Sequence, residues 1–139
     1  MKTLDEYIQM YEKHTKEKFQ FNTGFSFFYH PEHGFCEYKI EDTGLYIWQL
    51  CGDLKYWVDI GYKACQQFQL PAMSAYILRH PKPFIRKLGF KIVKTEHEDG
   101  YYRFTCKNKA GEELVATQHG DKYIFVWKIE VKDNDNTDV

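Results

Sequence analysis

The order of elements between residues 45 and 90 constrains this chain more than any other feature. It reads strand, helix, strand, short helix, closing on Lys87-Leu88-Gly89-Phe90. The 45–50 run is apolar and strand-like, and Gly52-Asp53 breaks it. Asp53 is a strong helix N-cap, because its carboxylate can accept from the first free backbone N–H groups. Leu54, Trp57, Val58, Gly61, Cys65 and Phe68 then recur at helical spacing. Gly61 sits on that apolar stripe at a cost of ~1 kcal/mol relative to alanine, which predicts close approach of the helix to a sheet. Pro71 ends the helix, 72–78 reads as a strand, and His80-Pro81-Lys82-Pro83 opens a short helix with proline in its first turn. Gly89 suits a left-handed cap at its end.

The flanking segments are mostly antiparallel in character. Thr3-Leu4-Asp5-Glu6 has the form of a capping box, and Leu4, Tyr7, Ile8 and Tyr11 make an apolar stripe, predicting a surface helix over about 4–18. Runs at 25–29, 35–40 and 45–50, separated by turns at 30–34 and 41–44, predict a meander. After a strand at 90–95, alternation resumes at Tyr102, Phe104 and Cys106, then at 112–118. It ends with Tyr123, Phe125, Trp127, Ile129 and Val131 on one face. The expected class is α+β, a mixed and mostly antiparallel sheet flanked by helices, with an additional C-terminal antiparallel hairpin region. One domain is expected over 1–132, with a polar, acidic, disordered tail at 133–139.

With 139 residues the chain can bury a sizeable core without metals or disulfides. Lysine plus arginine number 19 against 20 acids, a net charge of −1, so no electrostatic footprint for nucleic acid is present. Arg79, His80, Lys82, Arg86 and Lys87 nonetheless crowd one segment. Cys36, Cys51, Cys65 and Cys106 lack paired spacing and read as reduced, buried thiols of a cytoplasmic protein. No apolar run reaches the ~18 residues of a membrane span, so no membrane association is expected. Aromatic residues make up 18 %, which fits a core of large side chains and also an aromatic-lined cleft or partner surface.

His30, His33 and Cys36 form H-x-x-H-x-x-C, too few ligands for a metal centre, and no metal is expected. No G-x-S-x-G surrounds Ser26 or Ser74. The strand–turn–helix at 45–68 is where an anion would meet a helix N-terminus, formed here by Cys51, Gly52, Asp53, Leu54 and Lys55.

Residues 1–95 resemble the GNAT family of acyl-CoA-dependent N-acetyltransferases. The resemblance rests on the element order and on the segment 79–90, which is similar to the family's closing short helix ending in K-x-G-F. It implies that 45–50 and 72–78 run side by side in parallel and then diverge, and that the gap admits the pantetheine of acetyl-CoA or another acyl-CoA. The cofactor-binding residues it implies are Cys51, Gly52, Asp53, Leu54 and Lys55, with N–H groups of 48–51 facing the oxyanion. The acceptor would be an amine on a small molecule or a protein. Two features depart from the family pattern. The Q/R-x-x-G-x-G/A phosphate loop is missing between Leu50 and Lys55, and Ile85 stands where the family often has a catalytic tyrosine. Tyr76 and His80 are the substitutes for the acid, and Glu37 or a water for the base. The chain is also similar to short GNAT-like proteins of bacteriophages and mobile elements, which implies a catalytically inactive interaction or structural protein as the alternative. An unrelated α+β domain binding a small ligand is a third reading.

Overall fold

The protein is built on one eight-stranded sheet in which two chain halves meet at β4. The computed structural model describes residues 1–78 and 80–130; the expected tail at 133–139, Val131 of the last alternation and Arg79 of the basic segment lie outside them. The elements are α1 (Leu4–Thr15), β1 (Ser26–His30), β2 (Gly34–Glu41), β3 (Gly44–Gly52), α2 (Leu54–Phe68) and β4 (Ala72–Ile77). α3 (Pro81–Lys87), β5 (Lys91–Glu98), β6 (Tyr101–Lys107), β7 (Glu113–His119) and β8 (Lys122–Lys128) follow. The strand order is β1-β2-β3-β4-β8-β7-β6-β5, and every pairing is antiparallel except that of β3 with β4. The α+β class, the meander and the C-terminal hairpins are therefore as the residues foretell.

The helix signals hold locally. Thr3 and Glu6 form the reciprocal capping box, and Lys16 in a left-handed conformation stops α1 at Thr15, three residues short of the expected end. Asp53 caps α2 by accepting from the Tyr56 N–H at 3.2 Å. Gly61 faces the parallel pair so closely that a methyl group there would stand 2.8 Å from Met73 Sδ and 3.1 Å from Leu45 Cδ2. A side chain there would force the ends of Met73 and Leu45 to move aside, so glycine lets α2 lie close against the parallel pair.

α1 covers one face of the sheet and α2 and α3 the other. Tyr7, Tyr11, Phe19, Phe35 and Cys51 pack beneath α1. Leu45, Ile47, Val58, Cys65 and Met73 pack beneath α2, and Ile85 joins Phe90, Phe104, Leu114 and Phe125 beneath α3. Burying each Leu, Ile, Val, Phe or Met side chain among these contributes ~1.5–3 kcal/mol of transfer free energy. All four cysteines are buried thiols in no disulfide. β8 pairs β4 along its whole length, from Ala72↔Lys128 to Ile77↔Tyr123, so the C-terminal strands are integral to the sheet rather than an appendage. Among the described residues no helix is long and apolar enough to cross a membrane.

Candidate functional site

The parallel pair is short. Leu45↔Met73, Tyr46↔Ser74 and Ile47↔Ala75 are in register, and pairing stops there although β3 continues to Gly52 and β4 to Ile77. Beyond Ile47, β3 keeps β2 as a neighbour and has no strand on its other side among the described residues. Backbone N–H and C=O groups on that edge need water or a ligand, since an unmade backbone hydrogen bond is costly.

A cavity of about 310 Å³ occupies the gap, at the lower end of the range of small-molecule sites. β3 contributes Ile47, Trp48, Leu50, Cys51 and Gly52, and β4 and its exit contribute Ala75, Tyr76, Ile77 and Leu78. Leu54 and Val58 of α2 and Phe84 of α3 close one side, while Met10, Tyr11, His14 and Thr15 of α1 close the other. Because α1 lies on the opposite sheet face from α2 and α3, the cavity passes through the plane of the sheet.

A bulge shapes this wall. Glu37 pairs Gln49 and Tyr38 pairs Ile47, so Trp48 is an extra residue in β3. The bulge changes the alternation of the strand: Ile47 and Leu50 pack toward α2, whereas Gln49 and Cys51 face α1. Bulges re-aim side chains and end pairing beside functional sites. Trp48, 47 % exposed, meets the Tyr76 ring edge-on at 5.1 Å and Phe25 at 6.0 Å.

Tyr76 is the polar centre of the α1 side. Burial raises its phenol pKa, while a side-chain hydrogen bond with Tyr11 and the nearby Lys122 ammonium pull the other way. Lys122 Nζ lies 4.8 Å from the Tyr76 ring centroid and 3.6 Å from Glu17 Oε2. Tyr11 is pushed up more strongly, first by burial and then by Tyr76. Both phenols therefore hold their protons at neutral pH.

The other residues singled out from sequence fall into different places. Glu37 is 1 % exposed and does not line the cavity. Its carboxylate accepts from Asn22 N at 2.8 Å, Asn22 Nδ2 at 2.9 Å and Gln49 Nε2 at 2.7 Å, and Gln49 also donates to Gln20 O. It thereby clasps the segment 16–25 to the sheet. His80 is exposed, caps α3 by accepting from the Lys82 N–H, and stands outside the cavity lining. Cys51, Gly52 and Leu54 line the cavity. Asp53 and Lys55 do not, and Lys55 pairs with Asp59 on the exposed side of α2.

The Asp53 carboxylate lies over the start of α2, accepting from Tyr56 N–H and 3.2 Å from His33 Nδ1. Those contacts, led by the Tyr56 N–H, lower its pKa, so it is a fixed negative charge. A phosphate charge ~4 Å away would meet a repulsion of about 1–4 kcal/mol, depending on the local dielectric. Of the H-x-x-H-x-x-C run, His30 and His33 rings lie 4.6 Å apart, whereas Cys36 is buried beneath α2. Among the described residues no group of three or more His, Cys, Asp or Glu could hold a metal ion.

Compared with protein-family models, curated proteins and solved structures, the chain matches none. From sequence Tyr11 was not placed at the site, and residue 48 was placed there by its backbone N–H and not by the Trp48 ring. Tyr11 was readable only as part of a helix stripe, and the bulge at Trp48 leaves no mark in the residue order.

Proposed function

We propose that this protein is an N-acyltransferase of GNAT type that moves an acyl group from a pantetheine thioester, of which acyl-CoA is the familiar case, to an amine. The observation that carries the reading is the parallel pair of β3 and β4 that separates after Ile47 and Ala75 around a cavity through the sheet. A thioester arm entering between the strands from the α2–α3 side would bring its carbonyl to the bulged edge of β3. An amine entering past α1 would meet it from the other face.

In this reading the amine nitrogen attacks the thioester carbonyl carbon, forming the C–N bond. Backbone N–H groups of 48–51 on the unpaired edge of β3 stabilise the oxyanion. Collapse breaks the C–S bond, and the departing thiolate takes the Tyr76 hydroxyl proton. A phenol kept protonated by burial suits that role. The amine's proton passes to water at the cavity mouth, and solvent reprotonates Tyr76. Glu37 is sealed from the cavity by its own hydrogen bonds, so its part is to hold the wall rather than to accept the proton.

The test is thiol release from acetyl-CoA and acetyl-pantetheine in the presence of a panel of small amines and basic peptides. Amine-dependent release is expected. Absence of both release and binding at millimolar thioester overturns the reading and favours the non-catalytic interaction protein.

A further inference from the structure

The cleft and the phosphate end of the site disagree, and that disagreement points to the donor. The cavity can take an acyl-pantetheine arm, but the start of α2 that would face a nucleotide pyrophosphate carries the ionised Asp53 carboxylate, hydrogen-bonded in place. The single glycine there, Gly52, cannot form a cradle: a methyl group on it would stand 2.3 Å from His33 O, so the turn is packed against the β1–β2 loop. Beside this exit lies α3, whose Phe84 lines the cavity. The helix has no acidic residue, and it exposes Lys82, Arg86 and Lys87. Among the described residues none of these three has an ion-pair partner. Lys87 is near enough to Asp53 to be felt by its carboxylate.

We infer that the acyl donor is a phosphopantetheine thioester carried on an acidic protein, which docks on α3 through Lys82, Arg86 and Lys87 and threads its arm between β3 and β4. Such a donor brings a single phosphodiester charge toward Asp53 in place of the pyrophosphate and adenosine 3′-phosphate of CoA, so less repulsion is met there, and its surface supplies the charge that α3 lacks. This rests on the acyltransferase reading above and names its donor. The chemistry is unchanged: the amine forms the C–N bond, the C–S bond breaks, and the carrier's thiol leaves with the Tyr76 proton.

The experiment compares binding of three probes to the full chain by calorimetry: acetyl-pantetheine, acetyl-CoA, and an acidic acyl carrier protein bearing an acetylated phosphopantetheine arm. The carrier is expected to bind tightest, with acetyl-CoA no tighter than acetyl-pantetheine. The triple variant K82E/R86E/K87E is expected to weaken carrier binding by about tenfold or more at low salt, with acetyl-pantetheine unaffected. Its neutral counterpart K82Q/R86Q/K87Q, with a smaller charge change, should fall between. If acetyl-CoA or free acetyl-pantetheine binds as tightly as the carrier, or if both triple variants bind it like the unaltered protein, the donor assignment is wrong while the acyltransferase reading stands. If none of the three probes binds at millimolar concentration, the acyltransferase reading itself falls.

Discussion

Replacing Glu37 by alanine separates a structural carboxylate from a catalytic one. The carboxylate accepts three hydrogen bonds in a site 1 % exposed to solvent. Hydrogen bonds to a charged group are worth about 1.5–3 kcal/mol each, and they do not add fully. Gln49 keeps its second acceptor, Gln20 O, so it loses less, whereas Asn22 N–H loses its acceptor altogether. Releasing a buried charge from its desolvation penalty offsets part of the loss. The net expectation is a destabilisation of about 2–4 kcal/mol, a sizeable part of the ~5–15 kcal/mol of a typical domain. Glu37→Gln keeps the shape but points an amide donor at a site lined by donors, and should cost about half as much. Urea unfolding followed by tryptophan fluorescence, at constant m-value, reads both. A loss below about 0.5 kcal/mol for Glu37→Ala would refute the clasp. So would a Glu37→Gln protein of unaltered stability that has lost all acyl transfer, since that result belongs to a general base.

Three further predictions follow from the same geometry. Gly52→Ala, at φ +104° and against His33 O, should destabilise by about 2 kcal/mol or more, read by thermal unfolding. Tyr76→Phe should retain the fold and thioester binding while thiol release slows by about 10²-fold, and the alkaline limb of its pH profile should vanish; unaltered release would remove Tyr76 as the acid. Asp53→Asn bears on pH: the folded-state pKa is lowered, so its stabilisation is present above the unfolded value of about 3.9 and is lost as pH falls through the lower folded value. The variant should therefore show a shallower fall in stability below about pH 4, measured by denaturant midpoints across pH.

Signals that act over three or four residues were legible without coordinates. The Thr3–Glu6 capping box, the Asp53 cap, the proline start of α3 and the Gly61 stripe all depend on local spacing, and all appear where that spacing puts them. The parallel pairing of β3 and β4 was what the family resemblance implied, and the helix-long connection between them is what a parallel partner requires. The insertion of β8 beside β4 was not legible: it pairs residues about 50 apart, and half-buried alternation states a face but names no neighbour. Burial of Glu37 was equally silent, since a carboxylate at alternating strand spacing reads as solvent-facing until Asn22 and Gln49 are brought to it. The bulge at Trp48 depends on register across two strands, which one strand's sequence does not carry.

On the proposed function, the opening between β3 and β4 receives a thioester arm. The most direct measurement is titration of isotopically labelled protein with acetyl-pantetheine, following backbone amide and indole signals. Saturable shifts confined to Trp48, Cys51, Ala75, Tyr76 and Phe84, with the β5–β6 hairpin unmoved, are expected. Unchanged spectra at millimolar thioester, or shifts clustered away from that opening, would contradict it.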